Sequence, residues 1–241
     1  MSLADGVHSY ALCVFPRLRT DELMDDPALP AAEHDHALRG LARINALSRA
    51  WAPIARAMHP LSKERELSVL DVATGSADVP LALATRFRNA RWYGCDVSTH
   101  ALAVAQARAD AASVKWEGFQ HDIVAEPLRA QFDVVLCSLF LHHLEPQDVK
   151  RALAHMAQAT RRMLIVHDLR RSVTGLALAH AVPRVLTRSR VVHVDAVKSV
   201  RAAYTRDELR GLAADAGLAG VRIAATFPQR MLLTWKPGGA P

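Results

Sequence analysis

A chain of 241 residues, 51% of them hydrophobic, has the length of one domain or two small ones. It can remove roughly 70 to 75% of its unfolded surface from water, so no covalent staple is required. Three cysteines (Cys13, Cys95 and Cys137), odd in number and without paired spacing, argue against a disulfide scaffold and for reduced thiols in a cytosol-like compartment. The formal net charge of +6 leaves room for an anionic partner, and no apolar run approaches the roughly 18 residues of a membrane span.

Read in chain order, the N-terminus lacks a basic start followed by an apolar block, the nearest candidate being residues 10–15. A cytoplasmic, unexported protein is therefore expected. Residues 21–59 are helical in pattern, broken at Pro27 and Pro30, with Leu38, Leu41, Ile44, Leu47 and Trp51 at helical spacing. That stripe reads as core first and as a wall of a substrate site second.

Residues 67–78 run Leu-Ser-Val-Leu-Asp-Val-Ala-Thr-Gly-Ser-Ala-Asp. An apolar strand ends in a small-residue turn and feeds a helix expected over 80–87, the arrangement of a nucleotide-cofactor loop. A dinucleotide fingerprint would place its glycines at Ala73, Gly75 and Asp78, setting a carboxylate where a pyrophosphate must approach bare backbone. No Lys-Ser or Lys-Thr follows to hold a triphosphate. A cofactor without phosphate fits better, and S-adenosylmethionine (SAM) is one. A second strand over 91–95 delivers Asp96 to its carboxyl end, about 25 residues after Asp71, where a carboxylate can accept from both ribose hydroxyls. A helix over 98–111 and a strand over 114–119 follow, the latter closed by Gln120-His121-Asp122-Ile123; Asp122 is placed to meet an adenine amino group. Strands over 134–136 and 163–166, helices over 146–160 and 206–216, and a closing strand pair over 220–225 and 231–235 complete an α/β pattern, a parallel sheet covered on both faces. Thr205 with Asp207 and Glu208 marks a helix start and Gly217 its stop.

With Asp71-x-Ala73-x-Gly75-x-x-Asp78, Asp96 and Asp122 in that order, the chain resembles the class I SAM-dependent methyltransferases, nearest the branch containing the ubiquinone and menaquinone C-methyltransferases. The likeness runs over about 67–169, and loosely over 204–235. It implies a Rossmann-like seven-stranded, mostly parallel sheet with an antiparallel C-terminal hairpin, a helical N-terminal segment (1–60) and a methyltransferase domain (61–241) with a helical lid at about 170–205. It also implies that SAM, leaving as S-adenosylhomocysteine, is held by Asp71, Ala73, Thr74, Gly75, Asp78, Asp96, Val97, Asp122, Ile123 and Ser138. One position departs from the pattern: Ala77 replaces the usual glycine, and its methyl is comfortable only if the backbone there is not left-handed. Taken singly, each aspartate is explained by turn and strand-end capping.

Transfer of a methyl group from a sulfonium mainly requires alignment, but a phenolic acceptor, with a pKa of about 10, gains from a base or a nearby cation. His142, His167 and His193 are the candidate catalytic residues, in that order, although any one of them taken singly reads first as a hydrogen-bonded structural histidine. His143, Arg170 and Arg171 are candidate acceptor contacts. Between Arg161 and Arg206 ten Lys and Arg face only Asp168 and Asp195, interleaved with Leu176, Leu178, Val182, Val185 and Leu186. This suits an aromatic acceptor, anionic or lipophilic, although arginine-rich composition alone explains the charge equally well. Peripheral membrane contact and a homodimer are compatible. No metal is expected: the ligands of Glu33-His34-Asp35-His36 diverge around a helix, and convergence of His167/Asp168 with His193/Asp195 is the weaker alternative. Nucleic acid is the rival partner. Base-directed amino methyltransferases carry an Asn/Asp-Pro-Pro-aromatic turn, however, where this chain has Cys137-Ser138-Leu139-Phe140. The expected function is methyl transfer to an aromatic hydroxyl or an activated ring carbon, phenolic, polyketide or quinone-like; RNA methylation and non-catalytic SAM binding are the alternatives.

Overall fold

The computed structural model describes residues 14–26, 28–64 and 66–238, without the side chains of Asp25, Ala31, His34, Asp35, Ala42 and Ala46. Cys13, most of the 10–15 run and the His34/Asp35 pair lie outside that description. Seven strands form one sheet in the order β3-β2-β1-β4-β5-β7-β6: β1 Leu67–Val72, β2 Ala90–Asp96, β3 Trp116–Gln120, β4 Phe132–Ser138, β5 Thr160–Leu169, β6 Arg222–Thr226 and β7 Arg230–Trp235. The first five pair in parallel. β7 runs antiparallel between β5 and β6, giving the Rossmann-like, mostly parallel architecture with its antiparallel C-terminal pair.

The central strands are near-continuous apolar runs because helices cover both faces. One core gathers Leu70, Val135, Leu164, Leu153, Met156 and Leu209 beneath α5 (Pro146–Gln158) and α8 (Arg206–Asp215). The other gathers Val69, Leu136, Ile165, Leu83, Ile54 and Met58 beneath α2 (Trp51–Met58), α3 (Asp78–Ala84) and α4 (Thr99–Ala111). Burying Ile54 and Met58, both fully covered, contributes about 2 to 3 kcal/mol each. Cys95 and Cys137 are buried free thiols within strands.

Two departures from the expected elements have local causes. The segment 21–59 divides into a 3-10 turn at Leu23–Asp25, α1 (Ala31–Ser48) and α2, the last break falling at Arg49, whose φ of +46° ends α1. Of the apolar stripe there, Leu41 and Ile44 pack with Ala37, Val191 and Val192, whereas Leu38 and Leu47 stay exposed. The stretch after β5 forms two helices, α6 (Val173–Leu186) and α7 (Arg190–Ala202). Each starts on a serine, Ser172 or Ser189, that accepts from a backbone N–H three residues on, a capping geometry that satisfies an otherwise orphaned donor. Residues 14–26 lie as a strap against α7: Leu18 N–H donates to the Arg201 carbonyl (3.1 Å), and Asp195 Oδ1 and Oδ2 accept from the N–H groups of Leu23 (2.8 Å) and Met24 (3.0 Å). Among the described residues no helix is long and apolar enough to cross a membrane.

Candidate active site

The carboxyl ends of β1, β2 and β4 lie side by side in the sheet, the place where open α/β sheets form a ligand crevice, and the loop after β1 lies there. Ala73, Gly75 and Ala77 all take left-handed backbone, with φ of 53°, 51° and 59°. Gly75 is the residue suited to this, and a Cβ built on it would meet nothing within 4 Å, so the backbone faces open space that a ligand can enter. Ala77 has the conformation its methyl disfavours, at a cost of about 1 to 2 kcal/mol, offset in part because that methyl is fully buried in the core.

Carboxylates tie the loop to the strands. Asp96 Oδ2 accepts from the Gly75 N–H and Oδ1 from the Ser98 N–H, both at 2.9 Å, so its orientation is fixed from both sides while lone pairs remain for a diol. Thr74 Oγ1 donates to Asp71 Oδ2 (2.8 Å). Asp71 is buried, its Oδ1 has no partner, and burial pushes its pKa up to about 8, with Thr74 opposing and Asp96 and Asp78 adding. The buried Ser138 hydroxyl at the end of β4 is also unpartnered. Val97, directly after Asp96, is 60% exposed, an apolar surface at the rim, and Ile123 is buried nearby in sequence to Asp122. Asp122 Oδ1 accepts from Val124 and Ala125, which pins the turn after β3. Asp78 pairs with Arg108 of α4 at 2.7 Å, and the same guanidinium donates to the Ser76 carbonyl. The charge of Asp78 is thus partly neutralised and Asp71 holds its proton at neutral pH, which leaves Asp96 as the carboxylate that disfavours a phosphate here.

Beside the crevice stands a second constellation. The turn after β4 is a 3-10 helix at Leu141–His143 that buries His142 against Asp168 of β5. His142 Nδ1 lies 2.7 Å from Asp168 Oδ1, and the His142 backbone N–H donates to Oδ2 (3.3 Å). A carboxylate only accepts, so Nδ1 carries the proton and Nε2 is left to face other groups. Burial opposes the charged ring, but the charge of Asp168 and its hydrogen bond outweigh it and hold the His142 pKa above the ordinary value. Asp168 is held below its ordinary value by the same partner, against its own burial. The His143 ring lies 4.1 Å from that of His142 and is pushed down to about 4 by burial and by its neighbour's charge. Glu22 of the strap completes the group: one ligand-type atom from each of Glu22, His142 and His143 lies within 4.8 Å of the others. Arg17 fastens this arrangement, donating to the carbonyls of Ala202 (2.6 Å), Leu144 (2.7 Å) and His142 (3.3 Å) and lying over the Tyr204 ring.

The other candidates are placed elsewhere. His167 faces the opposite side of β5 from Asp168, as strand alternation demands. Its Nε2 lies 3.1 Å from Thr226 Oγ1, and burial and Arg230 push its pKa down to about 3. His193 Nε2 is occupied by the Thr187 carbonyl (2.8 Å), and Asp195 by the strap, so the pairs His167/Asp168 and His193/Asp195 do not converge on one ion. Arg170 donates to Gln229 Oε1 (2.6 Å). Arg171 is buried, bonded to the Ala203 carbonyl (2.9 Å) and paired with Glu208 of the α8 capping box. It serves as a clamp between β5 and α8, not as the acceptor contact its sequence position suggested. Sequence reasoning did not single out Glu22, which lies 120 positions before His142 and carries no motif.

Residues 69–163 match the family model described as a methyltransferase domain. A release factor glutamine methyltransferase of Flavobacterium psychrophilum is 30% identical over 93 residues, 38% of this chain and 33% of that protein; the chain thus spans about a third of the length of the curated relative it matches. Among solved structures, the magnesium protoporphyrin IX methyltransferase of Synechocystis PCC 6803 with bound SAH superposes with a TM-score of 0.58 at 18% identity, over 88% of this chain and 89% of that one. The SAM-dependent methyltransferase SibL gives 0.65 at 19% identity, over 87% and 60%. An O-methyltransferase family 2 protein of Planctomyces limnophilus in complex with apigenin gives 0.61 at 19% identity, over 88% and 63%. Over residues 69–163 the chain is thus similar to a methyltransferase domain, and its sheet order with the antiparallel C-terminal pair is that of the Rossmann-like methyltransferase fold.

Proposed function

We propose that the protein transfers the methyl group of SAM to a small-molecule acceptor, an aromatic hydroxyl or an activated ring carbon. The observation that carries this reading is the loop at Gly75. Its backbone faces open space, flanked by the orphaned Asp71 Oδ1 and Ser138 Oγ and by an Asp96 carboxylate oriented from both sides. These groups suit the adenosine and amino-acid parts of a cationic donor and offer no cradle for phosphate. When bound, SAM supplies an electrophilic methyl on a neutral leaving group. Asp96 accepts from the ribose hydroxyls, Val97 offers an apolar contact to the adenine, and Ser138 and the Gly75 loop hold the methionine part.

On the acceptor side, His142 is the favoured group. Asp168 fixes its tautomer and leaves Nε2 for other groups, whereas His167 lies on the opposite face of β5 against Thr226 and His193 sits on α7 with Nε2 on the Thr187 carbonyl. The methyltransferases of known structure sharing this fold include proteins whose names specify a porphyrin substrate or which hold a flavonoid, in keeping with an aromatic acceptor here. The chain's loop Asp71-x-Ala73-x-Gly75-x-x-Asp78 also resembles that of the ubiquinone and menaquinone C-methyltransferases, which supports a ring-carbon acceptor as one form of this reading. Calorimetry with S-adenosylhomocysteine tests the donor site: Asp96→Ala should weaken binding by about 10- to 100-fold, the loss of one or two charge-assisted bonds, with the circular dichroism spectrum unchanged. Unaltered affinity would remove the assignment.

A further inference from the structure

We propose that Glu22, His142 and His143 form a binding site for one divalent transition cation of the zinc or cobalt class, at the acceptor side of the crevice. Three features carry this. The first is convergence: two imidazoles and a carboxylate, drawn from the turn after β4 and from the strap, bring one ligand atom each within 4.8 Å of one another. Ligands at about 2.1 Å from a tetrahedral ion stand about 3.4 Å apart, so a rotation of the Glu22 side chain closes the remaining gap. The second is the outer shell. His142 gives Nδ1–H to the buried Asp168 carboxylate at 2.7 Å, the carboxylate–histidine pairing that fixes a metal-binding tautomer and raises ligand basicity. Ser199 Oγ lies against Glu22 Oε1. The strap that presents Glu22 is itself clamped one and two residues later by Asp195, so its backbone is held in place and only the side chain has to turn.

The third feature is charge. Glu22 and Asp168 set two negative charges beside two imidazoles that are neutral when they ligate, and a dication brings the group to neutrality. The neighbouring cations are already engaged: Arg17 with the His142 carbonyl at 3.3 Å and Glu145 at 3.4 Å, Arg19 with Glu145 at 2.6 Å, and buried Arg230 with Asn45 Oδ1 at 3.2 Å. Imidazole with one carboxylate selects zinc, cobalt and their neighbours over magnesium or calcium. Three protein ligands leave a fourth position for water or an acceptor oxygen, as in open metal sites. With the ion bound, His142 Nε2 is a ligand and reaches an acceptor only through the metal's fourth position, while the donor assignment is untouched.

Full-length protein treated with chelator and titrated with cobalt(II) tests this. One equivalent should bind with visible d–d absorption, and zinc(II) should displace it. Glu22→Gln and His143→Asn should each weaken binding by at least about tenfold, and Asp168→Asn by about 10- to 100-fold, as outer-shell changes do. The absence of saturable cobalt binding, or binding untouched by Glu22→Gln and His143→Asn, overturns the proposal. Glu22→Gln changes one atom on a half-buried strap, and S-adenosylhomocysteine calorimetry on the same samples reports the donor site separately. Intact donor affinity with lost cobalt binding isolates the metal site, and the reverse isolates the donor site.

Discussion

At the scale of single residues, the crevice keeps carboxylates in conformations and protonation states that the isolated amino acids would not choose. The unfolded Asp71 carboxyl ionises near 3.8 and the folded one near 8. Folding therefore binds a proton in between, and the stability this group supports is complete below about pH 4 and is lost as the pH rises towards about 8. Asp71→Asn should flatten that decline; urea midpoints of the two proteins across the window check it, and parallel curves would contradict the buried, proton-holding Asp71. Ala77 makes a separate prediction. Its left-handed backbone favours glycine by about 1 to 2 kcal/mol, while the buried methyl is worth about 0.8 kcal/mol. Ala77→Gly should then gain up to about 1 kcal/mol in chemical unfolding, and Ala77→Val should lose stability. The aspartates of the loop were legible in the sequence because their spacing from strand ends is set by the strands themselves. The conformation of Ala77 was not, since only neighbouring packing decides whether a methyl is forced into that region.

Between elements, packing of β2 against β3 reaches the donor loop through one indole. Trp116 of β3 lies across Gly94 of β2; a Cβ on Gly94 would stand 2.5 Å from Trp116 Cζ2 and 2.9 Å from Thr74 Cγ2. Gly94→Ala should cost about 1 to 3 kcal/mol through overpacking. By shifting Thr74, which bonds Asp71, it should also weaken S-adenosylhomocysteine binding, read by thermal melting and calorimetry together; a loss of stability with unchanged affinity would separate the indole from the loop. The strands and α4, α5 and α8 were readable from alternation, helical spacing and the Thr205–Glu208 capping box. The region that became α6 and α7 showed an amphipathic pattern but no boundaries, because its limits lie at Ser172 and Ser189 caps within an arginine-rich stretch. Arg170 and Arg171 illustrate the same limit: composition marks them as cations, and only tertiary contacts reveal that both are tied to neighbouring loops and helices.

For the molecule as a whole, residues 14–26 and α2 are part of the fold. A fragment starting at residue 61 would strip Ile54 and Met58 from the sheet, removing about 4 to 6 kcal/mol of burial, a large share of a domain's stability. It should aggregate or melt far below the full chain in differential scanning calorimetry. A fragment starting at residue 28 retains α1 and α2 and should still bind S-adenosylhomocysteine while losing turnover; full turnover in that fragment would show the strap to be a bystander. The sequence-based division at residue 60 followed the onset of the α/β pattern, which marks topology and not independence. The Asp195 clamp has a further consequence for how the protein is made. It joins residues 172 positions apart, so on a ribosome the donor pocket can form while Glu22 still waits for its anchor to be translated. The strap therefore docks late in synthesis, after five of the seven strands have been made, and an incomplete nascent chain carries it unanchored.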